Sequence, residues 1–74
     1  TRGKPSQLGE VEARSALADL KMGMAEDAIP KLETALALAQ GNLKEAIEHA
    51  LEDLRAGNTD EARDVLEQAL GVMH

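Results

Sequence analysis

Cysteine, phenylalanine, tyrosine and tryptophan are all missing from this 74-residue chain. Without thiols there are neither disulfides nor thiolate metal sites, and cysteine usage leaves the redox compartment open. Without aromatics the core must come from Leu, Ile, Val, Met and many Ala. Such a core lets helices approach closely but buries little area per residue. It also offers no ring on which a nucleobase could stack. Positive charge is scarce: eight Lys and Arg stand against fourteen Asp and Glu, a formal net charge of −6. Residues 1–40 hold five basic and six acidic groups, and residues 41–74 hold three and eight. An acidic surface repels phosphate backbones, so nucleic acid is not an expected partner. No apolar run approaches the length of a membrane span, so no membrane partner is expected. The chain opens on Thr1 rather than Met, which points to removal of an upstream segment.

What the chain does have is internal repetition. GMAEDAIPKLETALA (23–37), GNLKEAIEHALEDLR (41–55) and GNTDEARDVLEQALG (57–71) each open on Gly and place an acidic residue before Ala at the fifth and sixth positions. At an offset of 34 residues, 17–38 lies over 51–72. That offset matches Leu17 with Leu51, Leu20 with Leu54, Lys21 with Arg55, Gly23 with Gly57, Ala28 with Ala62 and Leu32 with Leu66. Repeated helical hairpins account for the pattern, since each unit needs a neighbour to cover its apolar face.

Length allows one domain. Residues 1–6 read as a flexible arm and 7–74 as a single helical domain. Four helices are expected. The first, about 6–22, carries Leu8, Val11, Ala16, Leu17 and Leu20 as its apolar stripe and ends at Gly23. The second, about 25–40, places Ala28, Ile29, Leu32, Ala35, Leu36 and Ala39 on one face. Its Pro30 lacks the N–H that an interior position donates, so a late or irregular start with Asp27 as N-cap is expected; the alternative, in phase with the other repeats, is a cap at Met24 with a local distortion of the helix. The third, about 42–56, turns Leu43, Ala46, Ile47, Ala50, Leu51 and Leu54 inward. The fourth, about 58–72, does so with Ala62, Val65, Leu66, Ala69, Leu70 and, beyond it, Met73. Asn42 with Glu45, and Asn58 with Glu61, have capping-box spacing, so replacing either Asn by Ala should cost about 0.5–2 kcal/mol. Short loops make successive helices antiparallel neighbours. The fold expected is all-α, four short helices as two antiparallel hairpins, arranged as an up-down four-helix bundle or as a stack of hairpins.

With its 34-residue hairpin period, the chain resembles tetratricopeptide repeats over about residues 17–72. The likeness is carried by Gly57, Asn58, Glu61, Ala62, Leu66, Ala69 and Leu70, and in part by Gly23, Ala28, Leu32, Ala35 and Leu36. Ala50 stands at the small position of that repeat's first helix, whose aromatic positions are empty here. The resemblance implies protein–protein interaction.

Chemistry has few footholds. His49 has Glu45 four residues before it, Glu52 three after and Asp53 four after, a carboxylate-rich surround that could begin a Zn²⁺, Cu²⁺ or iron site completed by other helices. The plainer reading sets His49 at the edge of the apolar stripe, with its acidic neighbours in solvent. Ile47 to Ala50 (I-E-H-A) is similar to phrases in small periplasmic metal-binding four-helix proteins, which carry His at successive turns; this chain has two His. Met22 and Met24 form a thioether pair of a kind that suits Cu(I), with Met73 and His74 as further candidates, but a helix-end Met is ordinarily gap-filling core. Ser6 and Ser15 have no His nearby in sequence, and the glycines mark turns rather than a phosphate loop. Carboxylates alternate with cations at i, i+4, as in Glu10/Arg14, Asp27/Lys31 and Arg63/Glu67, the habit of a solvated face.

The expectation is a non-catalytic helical module for protein–protein interaction or self-association, with no cofactor. The alternative is a small metal-binding bundle built on His49, Glu45, Glu52 and Asp53. Helices 1 and 2, with net charge nearest zero, are the expected contact surface of a homodimer or protein partner; helices 3 and 4 should face solvent.

Overall fold

The computed structural model describes residues 8–71. Among them are α1 (Glu10–Lys21), α2 (Ala25–Leu38), α3 (Gly41–Arg55) and α4 (Thr59–Leu70), with no strand. The arm over 1–6 lies outside the described residues, as do Val72, Met73 and His74.

The two hairpin turns are built alike, residue for residue. In the first, Gly23 (φ 77°) donates to the Leu20 carbonyl at 3.1 Å and Met24 donates to that of Asp19 at 2.8 Å. In the second, Gly57 (φ 86°) donates to Leu54 at 3.1 Å and Asn58 to Asp53 at 2.7 Å. Both are Schellman closures, in which a left-handed glycine lets the chain satisfy the last carbonyls of one helix while turning into the next. The 34-residue repeat is therefore visible in backbone hydrogen bonds as well as in residue types.

The join between hairpins differs. Ala39 (ψ 158°) and Gln40 (φ −139°, ψ 161°) are extended, and Gly41 (φ 64°) turns the chain into α3. Packing is most extensive inside each hairpin, α1 on α2 and α3 on α4. The hairpins then meet through α2 against α3 and α1 against α4. That last contact closes the ring into an up-down four-helix bundle.

One core runs through all four helices. Leu32, Ile47 and Leu66 are its largest fully enclosed side chains, surrounded by Ala13, Ala16, Leu17, Leu20, Ala28, Ala35, Leu43, Ala50, Leu51, Leu54 and Ala62. Truncating any of the three large residues to Ala should cost about 2–5 kcal/mol, through lost transfer energy and the cavity left behind. The inward faces expected for α2 and α3 are all buried or half-buried.

Elsewhere the sequence reading needs correction. The first helix begins at Glu10, not near residue 6, because Gly9 (φ 86°) caps it and accepts the Ala13 N–H at 2.9 Å. Its core face is Ala13, Ala16, Leu17 and Leu20, whereas Leu8 and Val11 are exposed. The second helix begins early, with Met24 rather than Asp27 at the cap, and runs through Pro30 at its sixth residue. Proline cannot donate to the Glu26 carbonyl there, and it sits on the exposed side, where water can reach that carbonyl. Asn58 does hold the N-cap of α4, but its side chain makes no capping bond; Asn42 lies inside α3, whose cap is Gln40. In α4, Ala69 is exposed and Glu67 is buried.

Candidate interaction surface

The charges between the hairpins reveal how the two halves are related. Lys21 at the end of α1 places its ammonium 3.6 Å from Glu67 of α4. Arg55 at the end of α3 places its guanidinium 3.4 Å from Glu33 of α2. The 34-residue offset carries Lys21 onto Arg55 and Glu33 onto Glu67. Each hairpin therefore gives the cation of one bridge and the carboxylate of the other. Such reciprocal exchange marks an approximate two-fold relation, in which each half uses the same patch to meet the other.

That relation makes the outer faces of α1 and α3 directly comparable. On α1, Val11, Ser15, Ala18 and Met22 are all exposed and recur at spacings of four, three and four. Leu8 adjoins one end of this stripe and Met24 the other, both exposed. No charged residue interrupts it. Val11 and Met22 are 67% and 71% exposed, values at odds with their side-chain chemistry. Their counterparts on α3 are Glu45, His49, Glu52 and Ala56, likewise all exposed. One face of the bundle is thus uncharged, and its two-fold mate is acidic.

Charges fringe the α1 stripe without entering it, and Arg14, Asp19 and Lys21 among them are bound within the chain. Arg14 pairs with Glu10 at 2.9 Å and reaches the Leu70 carbonyl at 3.3 Å. Asp19, half-buried, is balanced by the Lys31 ammonium at 2.6 Å. Lys21 is occupied by Glu67. Leu38, also exposed, lies at the Leu8 end, because Gly9 rests against Ala35 and Ala39.

The residues considered for metal are not assembled into a site. Glu45, His49 and Glu52 are exposed on the outer face of α3, which no other helix covers. Asp53 is half-buried in the place equivalent to Asp19, away from that row. Among the described residues, no three His, Cys, Asp or Glu side chains converge closely enough to hold an ion. Among the described residues, no other helix brings a ligand to this row. Met22 and Met24 stand exposed at the turn end of the first hairpin; Met73 and His74 fall outside the described residues.

Clefts lined by described residues occur at both ends of the bundle. One, of about 70 Å³, is lined by Glu10, Leu43, Ala69 and Leu70 at the end of the bundle opposite the two hairpin turns. It has room for little more than water. The helix-capping turns at 23–27 and 57–61 line shallow open hollows. No described helix is long and apolar enough to cross a membrane. Comparison with family models finds no match, and neither do comparisons with curated proteins and with solved structures.

Sequence reasoning missed the α1 stripe because it assigned Leu8 and Val11 to the core. The signal was present, as an uncharged row at heptad-like spacing on the side opposite Ala13, Ala16, Leu17 and Leu20. It gains meaning only once the acidic row on α3 is seen as its counterpart.

Proposed function

We propose that this chain is a non-catalytic helical module that works by contact with another protein chain, presenting the outer face of α1 to a partner helix. The observation that carries the reading is the uncharged, exposed row Val11, Ser15, Ala18 and Met22, set against the acidic row in the equivalent place on α3. Spacings of three and four suit a partner helix lying along α1, and small residues at the centre of the row let two backbones approach closely. The row suits a second copy well. Reversed end to end, Val11 falls opposite Met22 and Ser15 opposite Ala18, so the row is its own complement. The resemblance to tetratricopeptide repeats, a family of protein-interaction modules, supports the same reading.

A second copy is the available probe. Sedimentation equilibrium over a range of concentrations should show self-association of the native chain, and Ser15→Glu with Ala18→Glu should weaken it at least tenfold. Both positions are exposed, so the double variant should keep its helical circular dichroism. Strictly monomeric behaviour of the native chain would contradict self-association through α1.

A further inference from the structure

We infer that this chain can exchange its second hairpin with that of a second copy, pivoting at Ala39, Gln40 and Gly41. The inference rests on the surfaces between the hairpins and is independent of the outer face of α1.

Three observations carry it. Each hairpin is closed by its own Schellman turn, and its two helices pack on each other more extensively than either packs on any one helix of the other hairpin. The units are joined by only two extended residues and a left-handed glycine, so no helix must unwind for them to separate. Finally, the occupant is specified. The surface that α1 and α2 offer is already complementary to α3 and α4, down to the Lys21–Glu67 and Arg55–Glu33 bridges. A second copy brings the same surface. In the exchanged dimer, α1–α2 of each chain packs on α3–α4 of the other, and every contact between hairpins is kept.

Gly41 is the control point. At φ 64° it favours the folded-back chain, and a Cβ placed there would meet nothing within 4 Å. Gly41→Ala therefore adds backbone strain without a clash, and the strain disappears if the hinge opens to negative φ. A left-handed Ala is disfavoured by about tenfold relative to a relaxed one. Two hinges open in each exchanged dimer, so its association constant should rise about a hundredfold. Gly23 and Gly57 share the positive φ and the open space, but each lies within a hairpin. Gly23→Ala and Gly57→Ala should weaken the fold without promoting exchange.

The test uses the absence of native cysteine. Glu33→Cys and Arg55→Cys are introduced together, replacing one bridge between hairpins, and the full chain is treated with a short bismaleimide. A closed monomer yields only an intrachain link, and so does a dimer of closed monomers docked through α1. An exchanged dimer yields chains covalently joined in pairs on a denaturing gel. The expected result is an interchain product that grows with concentration and rises sharply with Gly41→Ala, but not with Gly23→Ala or Gly57→Ala. If Gly41→Ala does not fold, deletion of Gln40 shortens the connector so that it cannot fold back, and must give the interchain product. Intrachain links alone in the folded hinge variant at high concentration would overturn the inference, as would equal dimer yield from Gly23→Ala.

Discussion

The Lys21 ammonium lies 3.6 Å from Glu67, a carboxylate that is almost wholly enclosed, while its repeat-equivalent Arg55–Glu33 stands in solvent. The same bridge thus occurs once half-buried and once exposed in one molecule. Exposed pairs contribute about 0–1 kcal/mol, whereas removing one partner of an enclosed pair costs more, since the remaining charge keeps its desolvation penalty. Lys21→Met should therefore destabilise the fold by about 1–3 kcal/mol, and Arg55→Met by no more than about 0.5 kcal/mol. Urea denaturation of the two variants measures both; equal losses would show that burial does not distinguish the bridges.

Gly9 is the glycine whose replacement should do most harm. A Cβ on it would fall 2.7 Å from the Ala35 carbonyl oxygen, adding a backbone clash to the strain of φ 86°. Gly9→Ala should cost more than about 2 kcal/mol, against about 1–2 kcal/mol for Gly23→Ala or Gly57→Ala, where the space is open. Thermal melts of the three variants supply the ranking. A Gly9→Ala protein as stable as the other two would remove the close approach of α1 to α2.

Pro30 occupies the sixth position of α2, past the first turn where proline is free of cost. Pro30→Ala restores the donor to the Glu26 carbonyl at an exposed site and should stabilise the fold by about 1–3 kcal/mol. Chemical denaturation would reveal an unchanged or lowered midpoint if the helix began beyond Pro30.

Asn58→Ala and Asn42→Ala should each change stability by less than about 0.5 kcal/mol, because neither side chain holds a helix end. At Asn58 the backbone carries the bonds, its N–H to Asp53 and its carbonyl to the Ala62 N–H. A loss of about 1 kcal/mol or more at either site would restore the side-chain caps read from the sequence.

These corrections show where the sequence was informative. Helix number, the turns at Gly23 and Gly57, and the inward face of α3 were legible, since Leu43, Ile47, Leu51 and Leu54 mark one side without competition. The face of α1 was legible only in part: Ala16, Leu17 and Leu20 are buried as expected, but Leu8 and Val11 are not, because the helix carries two uncharged rows on opposite sides and Ala looks the same in a core as on a surface. The chain resolves that ambiguity through tertiary packing at Gly9, which no local pattern encodes. Glu67 was unreadable for a related reason: the cation it meets, Lys21, is distant in sequence and brought to it by the α1–α4 contact. The acidic row around His49 was legible as a face of one helix. Its value as a contrast to α1 emerged only from the two-fold relation between hairpins.

The most direct measurement compares Ala18→Glu with Glu52→Ala, substitutions at equivalent exposed positions of α1 and α3. Sedimentation equilibrium of both, beside the native chain, reads which face makes contact. The account predicts that Ala18→Glu weakens self-association at least tenfold while Glu52→Ala leaves it intact. Association unchanged by Ala18→Glu, or lost equally in both variants, would contradict the claim that the outer face of α1 is the contact surface.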